Sequence, residues 1–182
     1  MKVKPTSIPE VIILKPKLFE DERGFFMETY RAEHLTSLGV PAKFVQDNHS
    51  GSTQGVLRGL HYQIQRPQGK LVRVVSGKVF DVVVDLRKSC DTFGKWVGAT
   101  LTADNKHQLW IPPGFAHGFY VLSDWADLLY KVTEYYAPEW DRVLQWDDPE
   151  IGIEWPLLDG VSPRLSTKDA HGNSLAETEL FD

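Results

Sequence analysis

Between residues 56 and 123 the chain is cut into short segments, "VLRGLHYQIQ", "KLVRVVSG", "KVFDVVVDL", "WVGATLT", "HQLWIP" and "AHGFYVLS". They are rich in Val, Phe, Trp and Thr and are separated by Gly, Asn, Asp and Pro, which is the signature of strands and turns. Strands this short at near-regular spacing predict an all-β chain, an antiparallel sandwich or jelly roll. "VSGKV" reads as a tight hairpin turn around Ser76-Gly77, and "TADNKHQ" as a second turn about Asp104-Asn105. Helices are few and short. "YRAEHLTSLGV" is the clearest, with Leu35 and Leu38 three apart and Gly39 as a stop, and a short C-terminal helix is expected through "SLAETELF".

With 182 residues and no internal repeat, low-complexity run or Ser/Gly-rich linker, residues 1–182 are expected to form one domain. The 42% hydrophobic and 25% charged composition is that of an ordinary water-soluble protein, and the single Cys90 leaves no internal disulfide to form. A reducing, cytoplasmic setting is the expectation. The start "MKVKPTSIPEVIILKP" holds only the apolar run "VIIL" before Lys15, so neither a signal peptide nor a membrane span is predicted. A formal net charge of −5 argues against nucleic acid as the main partner, and an anionic ligand would have to meet locally clustered Arg and Lys.

Polar residues interrupt the segment "LRGLHYQIQ", where Leu57, Leu60 and Ile64 mark at least one buried face. Buried polar groups need partners or a ligand. Strict alternation sends His61 and Gln63 to one face and Arg58, Leu60 and Tyr62 to the other, so Arg58 and His61 would not share a pocket. Gly59 between them offers a way out, because a glycine within a strand often marks a bulge that re-aims its neighbours. In "WIPPGFAHGF", Pro112, Gly114 and His117 form the pattern P-x-G-x-x-H, which resembles the second motif of the cupin superfamily, small jelly-roll barrels in which that histidine points inward. A metal-binding cupin would add an H-x-H pair, whereas here His61 is followed by Gln63 and Gln65. Metal sites of Zn²⁺ or Fe²⁺ type want about three protein ligands, so chemistry without a metal is the expectation.

"DERGFFMETY", "FVQDNHS", "LRGLHYQ", "QGKLVRV", "GFAHGF", "LLYKVTEYY" and "STKDA", in this order over roughly residues 8–170, resemble the dTDP-4-dehydrorhamnose 3,5-epimerase family. The resemblance implies a cupin-like jelly-roll barrel acting on dTDP-4-dehydro-6-deoxy-D-glucose, inverting the sugar at C3 and C5 to give dTDP-4-dehydro-L-rhamnose. It also implies a homodimer without a cofactor.

Both sugar centres flank the C4 ketone, so loss of either proton leaves an enolate, which calls for a base on one face, an acid on the other and a cation near the oxygen. His61 suits the base: an imidazole with an ordinary pKa near ~6.5 exchanges protons at neutral pH, and a placed base contributes roughly 10²–10⁴ in rate. By resemblance Asp169 orients it, Tyr130 donates the proton from the opposite face, and Lys70 steadies the enolate oxygen. The residue pattern alone does not distinguish Asp169 from Asp81 or Asp85 as the orienting carboxylate. A donor at a developing oxyanion is worth about 10²–10³, so base and cation together approach the lower range of enzymatic acceleration, about 10⁶. For the diphosphate, the resemblance implies Arg23, Arg58 and Lys168, since guanidinium groups bind phosphate bidentately at any working pH. Glu28 and Gln46, Asp47 and Asn48 match the thymidine-contacting segment, Phe26 and Tyr136 are candidates for stacking, and His117 and Asp141 complete the set. The competing readings are an epimerase acting at C3 or C5 only, a non-catalytic sugar-nucleotide-binding cupin, and a metal-dependent cupin enzyme with its ion near His61 and His117.

Overall fold

A computed structural model describes residues 1–40 and 43–182 of the chain. In chain order its strands are β1 (Lys2–Pro5), β2 (Ile12–Lys15), β3 (Leu18–Asp21), β4 (Gly24–Met27), β5 (Gln46–Thr53), β6 (Leu57–Gln63), β7 (Lys70–Ser76), β8 (Lys78–Asp85), β9 (Trp96–Thr102), β10 (Gln108–Ile111), β11 (Phe115–Val121), β12 (Trp125–Val132) and β13 (Asp141–Val143). One sheet has six strands in the order β1-β2-β10-β7-β12-β5, the other five in the order β13-β6-β11-β8-β9, and β3 and β4 form a separate hairpin. The strands within these sheets pair antiparallel, so the jelly roll expected from the strand spacing is the one observed.

The apolar residues explain how the sheets stack. Alternation along β9 buries Val97, Ala99 and Leu101 while leaving the residues between them more exposed. These meet Val79, Val83, Phe119 and Val121 of the same sheet and Ile13, Val72, Val74, Leu109 and Leu128 of the facing sheet, which together form the central core. A second cluster joins Leu60, Tyr62, Val82, Val84 and Ala116 of the five-stranded sheet to Leu144, Ile151, Leu175, Leu180 and Phe181. With apolar cover on both faces, β11 is buried at every position.

Two expectations are corrected here. The turn at Ser76-Gly77 is tight, and Gly77 has φ +74° with the Trp125 carbonyl oxygen only 1.9 Å from where a Cβ would sit. It does not close a hairpin, because β7 pairs with β10 and β12 whereas β8 pairs with β11 and β9. The reversal instead carries the chain from one sheet to the other. Likewise, "SLAETELF" contains a single turn, with the Thr178 N–H donating to the Ser174 carbonyl at 2.9 Å, and no helix. Its end is held extended because Phe181 donates to the Leu86 carbonyl at 3.1 Å and accepts from the Lys88 N–H at 2.9 Å. Docking of Leu175, Leu180 and Phe181 on the sheet outweighs local helix propensity. The anticipated first helix forms as α1 (Ala32–Thr36), burying Leu35 under the outer face of the six-stranded sheet, and the chain then leaves through Gly39 at φ +77°. The turn at Asp104-Asn105 is built by the Asn105 side chain, whose Oδ1 accepts from the N–H groups of Thr102 at 3.1 Å and His107 at 3.0 Å.

Candidate active site

A cavity of about 360 Å³ opens between the two sheets, lined by Gln46, Asn48 and Ser50 of β5, Arg58 and His61 of β6, Lys70 of β7, His117 of β11 and Tyr130 of β12. Arg58 and His61 reach it together because β6 bulges. Opposite β11, His117 faces His61 and Phe119 faces Arg58, so two residues of β6 span the place of one. Gly59 makes this possible: it has φ +121°, and a Cβ there would lie 2.6 Å from the Cα of Gly118.

His61 Nε2 lies 2.5 Å from Asp169 Oδ1. A carboxylate has no proton to give, so Nε2–H is the donor, and in a neutral ring the lone pair is then on Nδ1. Asp169 Oδ2 in turn accepts from Ser166 Oγ at 2.8 Å. Burial pushes the Asp169 carboxyl up, but the bonds from His61, Ser166 and the Gly59 N–H outweigh it and hold the group below the usual carboxylate range.

A second pair lies deeper. His117 Nε2 is 2.9 and 3.0 Å from the two oxygens of Asp81, which is completely buried. Burial pushes the His117 pKa down against the attraction of Asp81, favouring a neutral ring at pH 7. Lys70 is also buried, and its Nζ donates to the His61 carbonyl at 3.1 Å. Its pKa falls to about 8, chiefly from burial, with Asp141 and Asp81 opposing the fall and Lys168 adding to it. Tyr130, on the facing sheet, has its phenol raised above the ordinary 10.0 mainly by burial. Its hydroxyl has no hydrogen-bond partner among the described residues.

At the rim, the Tyr136 hydroxyl donates to Asp141 Oδ2 at 2.9 Å, and Lys168 forms an ion pair with the same oxygen. Gln46 Nε2 donates to Asn48 Oδ1 at 2.9 Å, and Gln46 Oε1 accepts from the Tyr136 N–H at 3.1 Å. Arg58 is braced on β5, its Nε donating to Ser52 Oγ at 3.0 Å.

Four residues that the family resemblance nominated lie elsewhere. Asp47 alternates to the outer face of β5 and pairs with Lys131 at 2.9 Å. Arg23 and Phe26 belong to the β3–β4 hairpin, where Arg23 pairs with Asp21 at 2.6 Å, and Glu28 follows it and pairs with Arg31 at 2.6 Å. None of the four lines the cavity. Conversely, Ser50 and Ser166 were not anticipated. Ser166 stands three residues before Asp169 in the same motif, whereas Ser50 is betrayed only by its register on β5. Gln63 proves structural: its amide donates to the Arg66 carbonyl at 2.8 Å and accepts from the Ala137 N–H at 2.9 Å. Among the described residues no three His, Cys, Asp or Glu side chains converge to hold a metal ion.

The family model for dTDP-4-dehydrorhamnose 3,5-epimerase matches residues 5–177. The chain belongs to this family. It is 54% identical to the dTDP-4-dehydrorhamnose 3,5-epimerase of Pseudomonas aeruginosa over 182 residues, which is 100% of this chain and 99% of that one. Among solved structures, the dTDP-6-deoxy-D-glucose-3,5-epimerase of Legionella pneumophila, in complex with dTDP-4-keto-L-rhamnose, superposes with a TM-score of 0.94 at 51% identity, covering 98% of this chain and 94% of that one. A 3'-monoepimerase from Streptomyces bikiniensis, in complex with dTDP-quinovose, shares the 3,5-epimerase family's fold with a TM-score of 0.87 at 34% identity, covering 94% and 87%.

Proposed function

We propose that the protein converts dTDP-4-dehydro-6-deoxy-D-glucose to dTDP-4-dehydro-L-rhamnose by proton removal and return at C3 and C5. The observation that carries this reading is the placement of an oriented imidazole and a phenol on opposite walls of one cavity, His61 on the five-stranded sheet and Tyr130 on the six-stranded sheet. Nδ1 of His61 takes the proton from carbon while Asp169 holds the ring by Nε2 and favours the imidazolium that forms. The electron pair moves onto the C4 oxygen, where the Lys70 ammonium, mostly charged at pH 7, offers its protons. Tyr130 then delivers a proton from the other face, and its raised pKa keeps it protonated at working pH. These side chains account for each proton and for the developing charge. Arg58 and Lys168 are assigned to the diphosphate, Gln46, Asn48, Tyr136 and Asp141 to the nucleoside, and His117 to the sugar.

The exposed hairpin supports a homodimer. Phe19, Phe25 and Phe26 are 51%, 54% and 70% exposed on β3 and β4, beside Arg23 and Glu28. A second copy receiving this hairpin at its cavity mouth would bury the aromatic rings and bring in the nucleotide contacts that one chain leaves outside, with Asp47 at the same seam. Sedimentation should accordingly give twice the chain mass. A cytoplasmic site of action fits the lone Cys90, and among the described residues no helix is long and apolar enough to cross a membrane. The reading is tested by proton NMR of the substrate with enzyme in D₂O. Deuterium should enter at both C3 and C5 with inversion; entry at a single centre would make the protein a monoepimerase.

A further inference from the structure

The inward side chains of β5 form a polar row in which one member has no partner. Alternation places Gln46, Asn48, Ser50 and Ser52 on the face toward β6 and the cavity, and Asp47, His49 and Thr53 on the exposed face. Gln46 is bonded to Asn48 and to the Tyr136 N–H, and Ser52 accepts from Arg58 Nε at 3.0 Å. Ser50 lies between these two satisfied groups, opposite Leu128 on β12 and one inward step, about 7 Å, from both Asn48 and Ser52. Its Oγ is buried and bonded to nothing, and among the described residues it is the one buried side-chain polar atom left so. Such groups are rare because a buried hydroxyl without a partner costs stability, and one found beside a cavity calls for an occupant of that cavity.

The neighbouring cation identifies the occupant. Arg58 uses Nε on Ser52 and one terminal N–H on the Gly51 carbonyl at 3.3 Å, which fixes the guanidinium against Gly51 and Ser52, the residues next to Ser50, and leaves three N–H donors for a ligand. Arg58 and Ser50 line the same cavity, so an anion bound there by Arg58 is within the space that Ser50 also faces. We infer that Ser50 is a further substrate-binding residue, its hydroxyl turning by one staggered rotamer into the cavity to donate to a diphosphate oxygen held by Arg58. Rotation about a serine χ1 moves only one heavy atom, and the bond gained replaces none. The inference rests on the nucleotide-sugar reading of this cavity and names a contact within it.

Titration calorimetry of the full-length protein and its Ser50→Ala variant against thymidine diphosphate, and against thymidine, tests this. The variant is expected to bind thymidine diphosphate about tenfold more weakly, as fits the loss of one hydrogen bond to a charged group, with thymidine affinity unchanged. Its melting temperature should be unchanged or slightly raised, since the bond is absent from the free protein. Equal affinity for thymidine diphosphate in both proteins, a parallel loss with thymidine, or a marked fall in melting temperature would each overturn the assignment. Failure of the parent protein to bind thymidine diphosphate at all would instead remove the nucleotide-sugar reading on which it rests.

Discussion

His61 and His117 are cross-strand partners on β6 and β11, and each donates from Nε2 to a carboxylate, yet the side chain of His61 is 35% exposed while that of His117 is 7% exposed. Asp169 comes from the segment after Ser166 and closes over His61 from outside the sheet, whereas Asp81 comes from β8, within the same sheet as His117. The ring of His61 lies partly open to the cavity beside its carboxylate. His117 has the same tautomer, but burial holds it neutral, which suits an acceptor for a sugar hydroxyl and not a proton carrier. The same pairing of histidine with aspartate thus occurs twice in two roles, and depth in the barrel separates them.

The largest effects should come from the outer pair. His61→Ala is expected to lower deuterium exchange at both C3 and C5 by roughly 10²–10⁴ while leaving nucleotide affinity nearly intact, as read by NMR and calorimetry. Asp169→Asn should slow exchange strongly but less, because the base survives while its tautomer and orientation are lost. Near-normal exchange in either variant would erase the distinction between the pairs.

Lys70 supplies an intermediate effect. With its pKa lowered to about 8, mainly by burial, its ammonium is present below that pH and lost above it. The kcat/KM should therefore fall as pH rises through about 8, by up to about tenfold per unit, and Lys70→Met should abolish this limb along with most of the rate. The inner pair should show the smallest effect. Asp81→Asn keeps an oxygen for His117 Nε2 but removes a charge that favours the Lys70 ammonium, so the alkaline limb should move to lower pH with a loss of about tenfold or less at pH 7. A pH profile distinguishes this from general destabilisation, which would lower the whole curve without moving it. A loss as large as that of Asp169→Asn would show that the two pairs are not divided in role.

Much of this architecture is legible in the residues because it is local. The strand segments, the bulge at Gly59 that re-aims Arg58 and His61, and the turn at Asn105 follow from pattern and turn chemistry within a few positions. What was not legible is set by contacts far apart in sequence. Gly77 marks a sharp turn, but whether β7 and β8 pair depends on β10, β11 and β12. The segment "SLAETELF" is rich in the helix formers Leu, Ala and Glu, and only the docking of Leu175, Leu180 and Phe181 on the outer face of the five-stranded sheet decides that it lies along it instead. Asp169 is 108 positions from His61, so the family resemblance, and not spacing, chose it over Asp81 and Asp85; the geometry then gives His61 to Asp169, His117 to Asp81 and Arg87 to Asp85. The exposed hairpin of β3 and β4 is a case where even the resemblance, applied to one chain, named residues that the cavity does not hold.

The central claim is that inversion needs two proton-transfer groups on opposite walls. Its most direct test is Tyr130→Phe, which keeps the ring and its packing but removes the donor. Followed by NMR in D₂O, the variant should exchange the proton that His61 removes, with deuterium returning to the same face, while forming little inverted sugar. Inverted product at the parent rate would contradict the two-wall arrangement and return Tyr130 to a structural role.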